Sequence, residues 1–250
     1  MGPINISVLS SDAIGALGTD KIANLTSSNA AVLTRSQIAS LGSDKISAFT
    51  VASISTFGTD EIQGLTSTQA RGLTSGQLGG MSSSLIGALT TDAIPVLTTD
   101  KIAALTSGNA AGLTLSQVRV LGSDQISAIA SAAIATFGTD EIQGLTSTQA
   151  RGLTSVQLGA MSTALIAALT TEELAVMTSD QIRGINSAGL NTLTTDEVQS
   201  ITTAGVKGLT FANLQAMSTD RLTAFTNAQT ESIQAVLALS TDQLAQLTGF

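Results

Sequence analysis

From Leu9 to Phe225 an apolar residue recurs at every eighth position without a slip. Leu17, Leu25, Leu33, Leu41, Phe49 and Phe57 continue the series through 28 octads, whose first residue is always Leu, Ile, Met or Phe. The sixth position is Ile, Leu or Val in 23 of them; Ala30, Ala70, Ala110, Ala150 and Thr230 are the exceptions. Positions seven and eight are mostly small. Such strictness leaves few options. Whatever local structure one octad takes, nearly all must take, and units this short bury an apolar face only by packing on one another.

The backbone that suits an octad follows from geometry. A straight α-helix advances ~100° per residue, so an octad period smears the apolar stripe around its axis and excludes one continuous helix or coiled coil. A strand would alternate, whereas the apolar spacing here is five then three. Local chemistry selects a short helix. Position two is Ser, Thr, Gly or Asn in 27 octads, with Ala130 the one exception, and these are N-cap residues. Position five, three residues on, is Gln or Glu in 13 octads, which completes a capping box. Positions one and six then fall where a hydrophobic staple closes, and Asp at position four suits the first helical turn. Each octad reads as a helix start followed by about a turn and a half. Pro95, at the seventh position of its octad, runs against this pattern because it lacks an amide hydrogen. Helices this short do not stand alone. The fold class expected is all-α, a solenoid of very short helices with one helix per octad.

A longer period suggests how the coils stack. The Ala exceptions at position six, Ala30, Ala70, Ala110 and Ala150, recur at every fifth octad, and residues 57–75 repeat identically at 137–155. The expectation is about five octads per coil, the span from Ala30 to Ala70. That register aligns Asp20, Asp60, Asp100, Asp140, Asp180 and Asp220 in a column, and the residues after them include Lys21, Glu61, Lys101, Glu141 and Arg221. Alternating sign down such a column predicts ion pairs between coils, each worth only ~0–1 kcal/mol when exposed. The organisation expected is a short extended lead segment at residues 1–8, the octad solenoid over 9–225, and a longer helix with a final repeat at 226–250. The last of these reads as a cap or docking element, because the register breaks between Phe225 and Leu239.

Composition narrows the chemistry. With no His, Cys, Trp or Tyr there is no imidazole base, thiolate nucleophile, disulfide or His/Cys zinc site. The net charge is −8 and the ten basic residues are scattered, so nucleic acid is not an expected partner. Apolar runs such as 164–169 are far too short to span a bilayer, so no transmembrane segment is expected. No basic stretch followed by an apolar one opens the chain. The Asp column offers oxygen ligands for Ca²⁺, but each Asp is accounted for as a helix N-terminal residue, and no Asp-x-Asp-x-Asp-Gly loop exists. Ser and Thr have no activating base and no Gly-x-Ser-x-Gly context. Rows of Thr evoke an ice-binding face, but the position-two Thr is consumed in capping. No catalytic residue and no cofactor are expected.

Units such as Leu97-Thr-Thr-Asp-Lys-Ile-Ala-Ala104 and Leu193-Thr-Thr-Asp-Glu-Val-Gln-Ser200 resemble the Leu-Thr-Thr-Asp-Gln-Ile-Ala-Ala type arrays of very large exported bacterial surface proteins, over nearly the whole chain. The resemblance implies an exported, adhesin-associated or stalk-like spacer that leaves the cell without a recognisable N-terminal signal. The function expected is a non-enzymatic extracellular rod or filament subunit, partnered by further copies of itself head to tail or by another surface protein. The alternative is an adhesin module that binds protein or glycan. It draws on the departures from consensus at Ile185-Asn-Ser-Ala-Gly and Ile201-Thr-Thr-Ala-Gly-Val-Lys.

Overall fold

The computed structural model describes residues 6–237. Among them are 26 α-helices and two 3-10 segments, with no strand. Every helix but Asn227–Leu237 is four to six residues long, and the helices begin at position three of their octads. The protein is an all-α solenoid of short helices, essentially one per octad.

The caps explain where each helix starts. Thr34 is extended (φ −85°, ψ 158°) and its Oγ1 accepts from the Gln37 amide at 3.3 Å. The Gln37 side chain returns the bond, its Oε1 accepting from the Thr34 amide at 2.8 Å. Thr66–Gln69, Thr154–Gln157 and Thr178–Gln181 repeat the arrangement. At the far end the chain leaves the helix through an extended position-one residue, such as Leu73 (φ −59°, ψ 134°), whose side chain is thereby buried. Positions one and six supply nearly all the large core residues, and each aliphatic side chain buried this way contributes roughly 1.5–3 kcal/mol. Phe49 and Phe57, first residues of consecutive octads, meet edge to face with ring centroids 5.2 Å apart.

Two octads depart from the rule. The octad containing Pro95 forms turns, consistent with its missing amide hydrogen. Gly205–Gly208 is a 3-10 segment. At the chain start, Ile6–Val8 is a 3-10 turn where an extended lead segment was expected. The expected final repeat from Leu239 lies outside the described residues, as do residues 1–5.

The chain divides into two compact units, the first comprising residues up to Leu121 with Ala128–Ala133, the second Gly122–Ser127 with the residues from Ile134 onward. Both follow the same stacking rule, and it is not the five-octad one. In the first unit Ser43–Ala48 packs on Ser67–Gly72, and in the second Ser155–Ala160 packs on Ser179–Gly184; each pair is three octads apart. Side-chain bonds between coils then reach back 28 and 31 residues, from Gln69 to Leu41 and Ile38 in the first unit and from Gln181 to Leu153 and Ala150 in the second. One coil is therefore about three and a half octads long, and the five-octad coil is corrected. Each helix start lies over the junction of two helices in the coil before it, half an octad out of step. The five-octad periodicity of the sequence is not the period of the coil.

Candidate functional site: the seam between coils

The polar seam between coils is built largely from position five. A Gln in a capping box uses its oxygen locally and still has two N–H donors to place. In the seam they go to the preceding coil. Gln77 Nε2 donates to Ile46 O at 2.9 Å and to Phe49 O at 2.8 Å. Gln117 does the same with Ile86 O and Leu89 O, and Gln229 with Val198 O and Ile201 O. The acceptors are position-six carbonyls, most of which also take the next position-one amide, as Ile86 O takes that of Leu89, and position-one carbonyls at the exit from the short helix. One buried side chain thus caps its own helix and ties off another. Asn109 reaches Leu78 O and Met81 O in the same manner, and Ser53 Oγ reaches Leu25 O.

Position eight makes a second contact. Ser40 Oγ donates to Ser11 O at 2.7 Å, and Thr56 Oγ1 to Ser27 O at 3.2 Å, each 29 residues back. Where position eight is Gly the backbones come closer still. A Cβ on Gly72, Gly112, Gly152, Gly184 or Gly208 would collide with the carbonyl of Ser43, Ser83, Ser123, Ser155 or Ser179. Glycine is needed there for approach rather than for an unusual backbone angle. The sequence marks the Gln as a cap and position eight only as small; counting the unused amide donors of the Gln would have revealed the seam.

The six Asp of the expected calcium column are all exposed, each in the first turn of its own helix. Among the described residues no three Asp, Glu, His or Cys come together as a metal site. Members of the expected ion-pair column find other partners. Glu61 and Glu141 accept from the amides of Gly58 and Gly138. Lys101 Nζ donates to Arg71 O at 2.6 Å, and Arg221 Nε to Asn191 O at 3.3 Å, both 30 residues back. Partial burial lowers the Lys101 pKa. Lys21 is exposed beside a groove. The one ion pair among the described residues, Arg183–Asp180 at 3.3 Å, lies within a single helix. With coils of about three and a half octads, octads five apart are not neighbours.

Glu173 is the exception at position five. It is 1% exposed, its Oε2 accepts from the Thr170 amide at 2.6 Å, and its Oε1 has no hydrogen-bond partner. Burial pushes its carboxyl up to about 7, with the Glu172 charge adding to the rise and the Thr170 bonds opposing it.

Two of the departures from consensus in the last third fall on buried, closely packed glycines at position five. Gly189 is buried with Ile166 3.0 Å from where its Cβ would stand, and Gly205 stands equally close to Ile201. A groove of about 460 Å³ opens on the first coil, lined by Leu9, Leu17 and Leu25 from position one and by Ala13, Lys21 and Asn29 from position five. No helix among the described residues is long and apolar enough to cross a membrane.

Comparison with known proteins places two stretches of the chain. Residues 72–107 and 153–184 match the ALTTAQ repeat family, and they contain the seam residues Gln77, Gln157 and Gln181. No curated protein matches the chain. Its octads, its capped short helices and these two matching stretches make it a helical repeat protein, similar over those segments to the ALTTAQ repeat family.

Proposed function

We propose that this chain is a non-enzymatic structural protein, an extracellular stalk or filament subunit whose end coils associate with those of a second copy. The observation that carries the reading is the groove on the first coil. Its position-five residues, Ala13, Lys21 and Asn29, belong to the row that elsewhere in the unit meets the carbonyls of a preceding coil. Leu9, Leu17 and Leu25 are only part-buried here, whereas the position-one residues from Leu33 to Leu121 are buried. The surface is shaped for another coil of the same kind. Export is supported by the resemblance to surface-protein arrays, and the enzyme-free reading by the missing His and Cys.

The test is sedimentation velocity across a concentration series, with electron microscopy of the same samples, on the natural chain and Ala13→Lys. Ala13 is part-exposed and lines the groove, so the longer charged side chain fills it without disturbing the interior. Concentration-dependent end-to-end oligomers that Ala13→Lys abolishes are expected. Monomers at every concentration would end the filament reading, and oligomers indifferent to Ala13→Lys would move the contact elsewhere.

A further inference from the structure

Position-five residues of five kinds, among them Gln69, Asn109, Ser53, Lys101 and Arg221, donate to carbonyls of the coil before, whereas an ionised carboxylate has no proton to donate. Glu61, Glu141 and Glu197 occupy the same position half-exposed, where water reaches the carboxylate. Glu173 does not have that relief. In the second unit Gln181 reaches Ala150 O and Leu153 O, and Gln229 reaches Val198 O and Ile201 O, 31 and 28 residues back. The same count from Glu173 arrives at the carbonyls of Ile142 and Leu145. Its Oε2 is committed to the Thr170 amide and its Oε1 has no partner, so by the register of the neighbouring Gln it is Oε1 that would face them. In that register a proton on Oε1 would supply a hydrogen bond, whereas an ionised Oε1 would set a carboxylate oxygen against carbonyl oxygens in a buried seam.

We propose that Glu173 is a proton-operated latch of the second unit, holding its octad to the preceding coil when the carboxyl is protonated and loosening that seam when it is ionised. The raised carboxyl, pushed up to about 7 chiefly by burial, agrees with this geometry. Charged groups around it do not supply an alternative partner. Ser147–Gly152, packed against its helix, carries Arg151, which is exposed. Thr195–Ser200, packed on the other side, carries exposed Asp196 and half-exposed Glu197, whose carboxylate is turned back onto the Thr194 amide. Glu172, on its own helix, is exposed and only adds negative charge. Around neutral pH the second unit would therefore pass between a sealed and a loosened seam, a change that needs no ligand but a proton.

The test uses the full chain. A carboxyl-carbon NMR titration of the natural protein is expected to place the Glu173 midpoint near 7, and a midpoint in the ordinary carboxylate range overturns the proposal. Amide hydrogen exchange is compared, pH by pH, with Glu173→Gln, whose side chain carries a permanent donor. Exchange at Thr170 and Leu174, taken relative to Glu173→Gln, is expected to quicken in the natural chain by up to about one decade for each pH unit between about 4.5 and 7 and to level off above 7, a rise on the order of 100-fold between pH 5 and pH 8. A ratio that stays constant across this range refutes the latch. Glu172→Gln should keep the step at a slightly lower midpoint; its loss would show that Glu172, not Glu173, titrates. Should Glu173→Gln fail to fold, the titration of the natural chain decides alone.

Discussion

The Gln69 side-chain amide stands 2.9 Å from the carbonyl oxygen of Leu41, 28 residues earlier, and that separation is the length of one coil. The same Gln69 accepts from the amide of Thr66, so a single side chain starts one helix and ends another. Local and long-range order in this protein are therefore coupled through position five.

Removing such a clamp should be costly. Gln77→Ala leaves the carbonyls of Ile46 and Phe49 and the amide of Thr74 without their partner, at about 1–3 kcal/mol for a buried group. A total loss of about 2–4 kcal/mol is expected in urea unfolding. Gln77→Asn should lose much less, because Asn109 makes the equivalent bonds to Leu78 and Met81.

Glycines separate by position. Gly72→Ala drives a methyl group into the Ser43 carbonyl and should destabilise by about 1–3 kcal/mol through parting of the coils. Gly76→Ala meets Val51 at an ordinary 3.6 Å and Thr74 Oγ1 at 4.0 Å and should stabilise by roughly 0.5–1 kcal/mol through helix propensity. Thermal melts of the two variants should shift in opposite directions.

Ile102, 1% exposed, tests the inward face. Ile102→Asp would bury an unpaired charge, and loss of the folded helical spectrum is expected. A natural spectrum and melting point would contradict the burial of position six.

Lys101 tests the length of the coil. Lys101→Gln keeps a donor for the Arg71 carbonyl, whereas Lys101→Glu removes it and should cost about 1 kcal/mol. In a double-mutant cycle of Lys101→Glu with Glu61→Lys, a coupling below about 0.3 kcal/mol is expected, since octads five apart do not meet. A coupling near ~1 kcal/mol would restore the five-octad register.

Stability should fall as pH rises through neutrality. The Glu173 carboxyl, with its pKa at about 7 in the fold and 4.5 as its ordinary value, binds its proton more tightly folded than unfolded. The protein is therefore free of its cost below about pH 4.5, loses stability as pH climbs toward 7, and is level above that. The loss amounts to roughly 3 kcal/mol in total. Glu173→Gln should abolish this slope, seen as a flat urea midpoint between pH 5 and 8.

The sequence alone determined the octad, the helix that starts after position two, and the burial of positions one and six, because caps, staples and turns act over three to five residues. Thr34 and Gln37 could be paired from spacing alone. The length of the coil was decided only in three dimensions. It depends on how far each helix is turned from the next as the position-one and position-six side chains pack, and about three and a half octads per turn is not a whole number of repeats. Equivalent octads therefore do not stack on the adjacent coil, and the five-octad spacing of Ala30, Ala70 and Ala110 pointed to a coil that does not form. Gln69 was legible as a cap but not as a clamp, since its second pair of partners lies on a coil that only tertiary packing brings within reach.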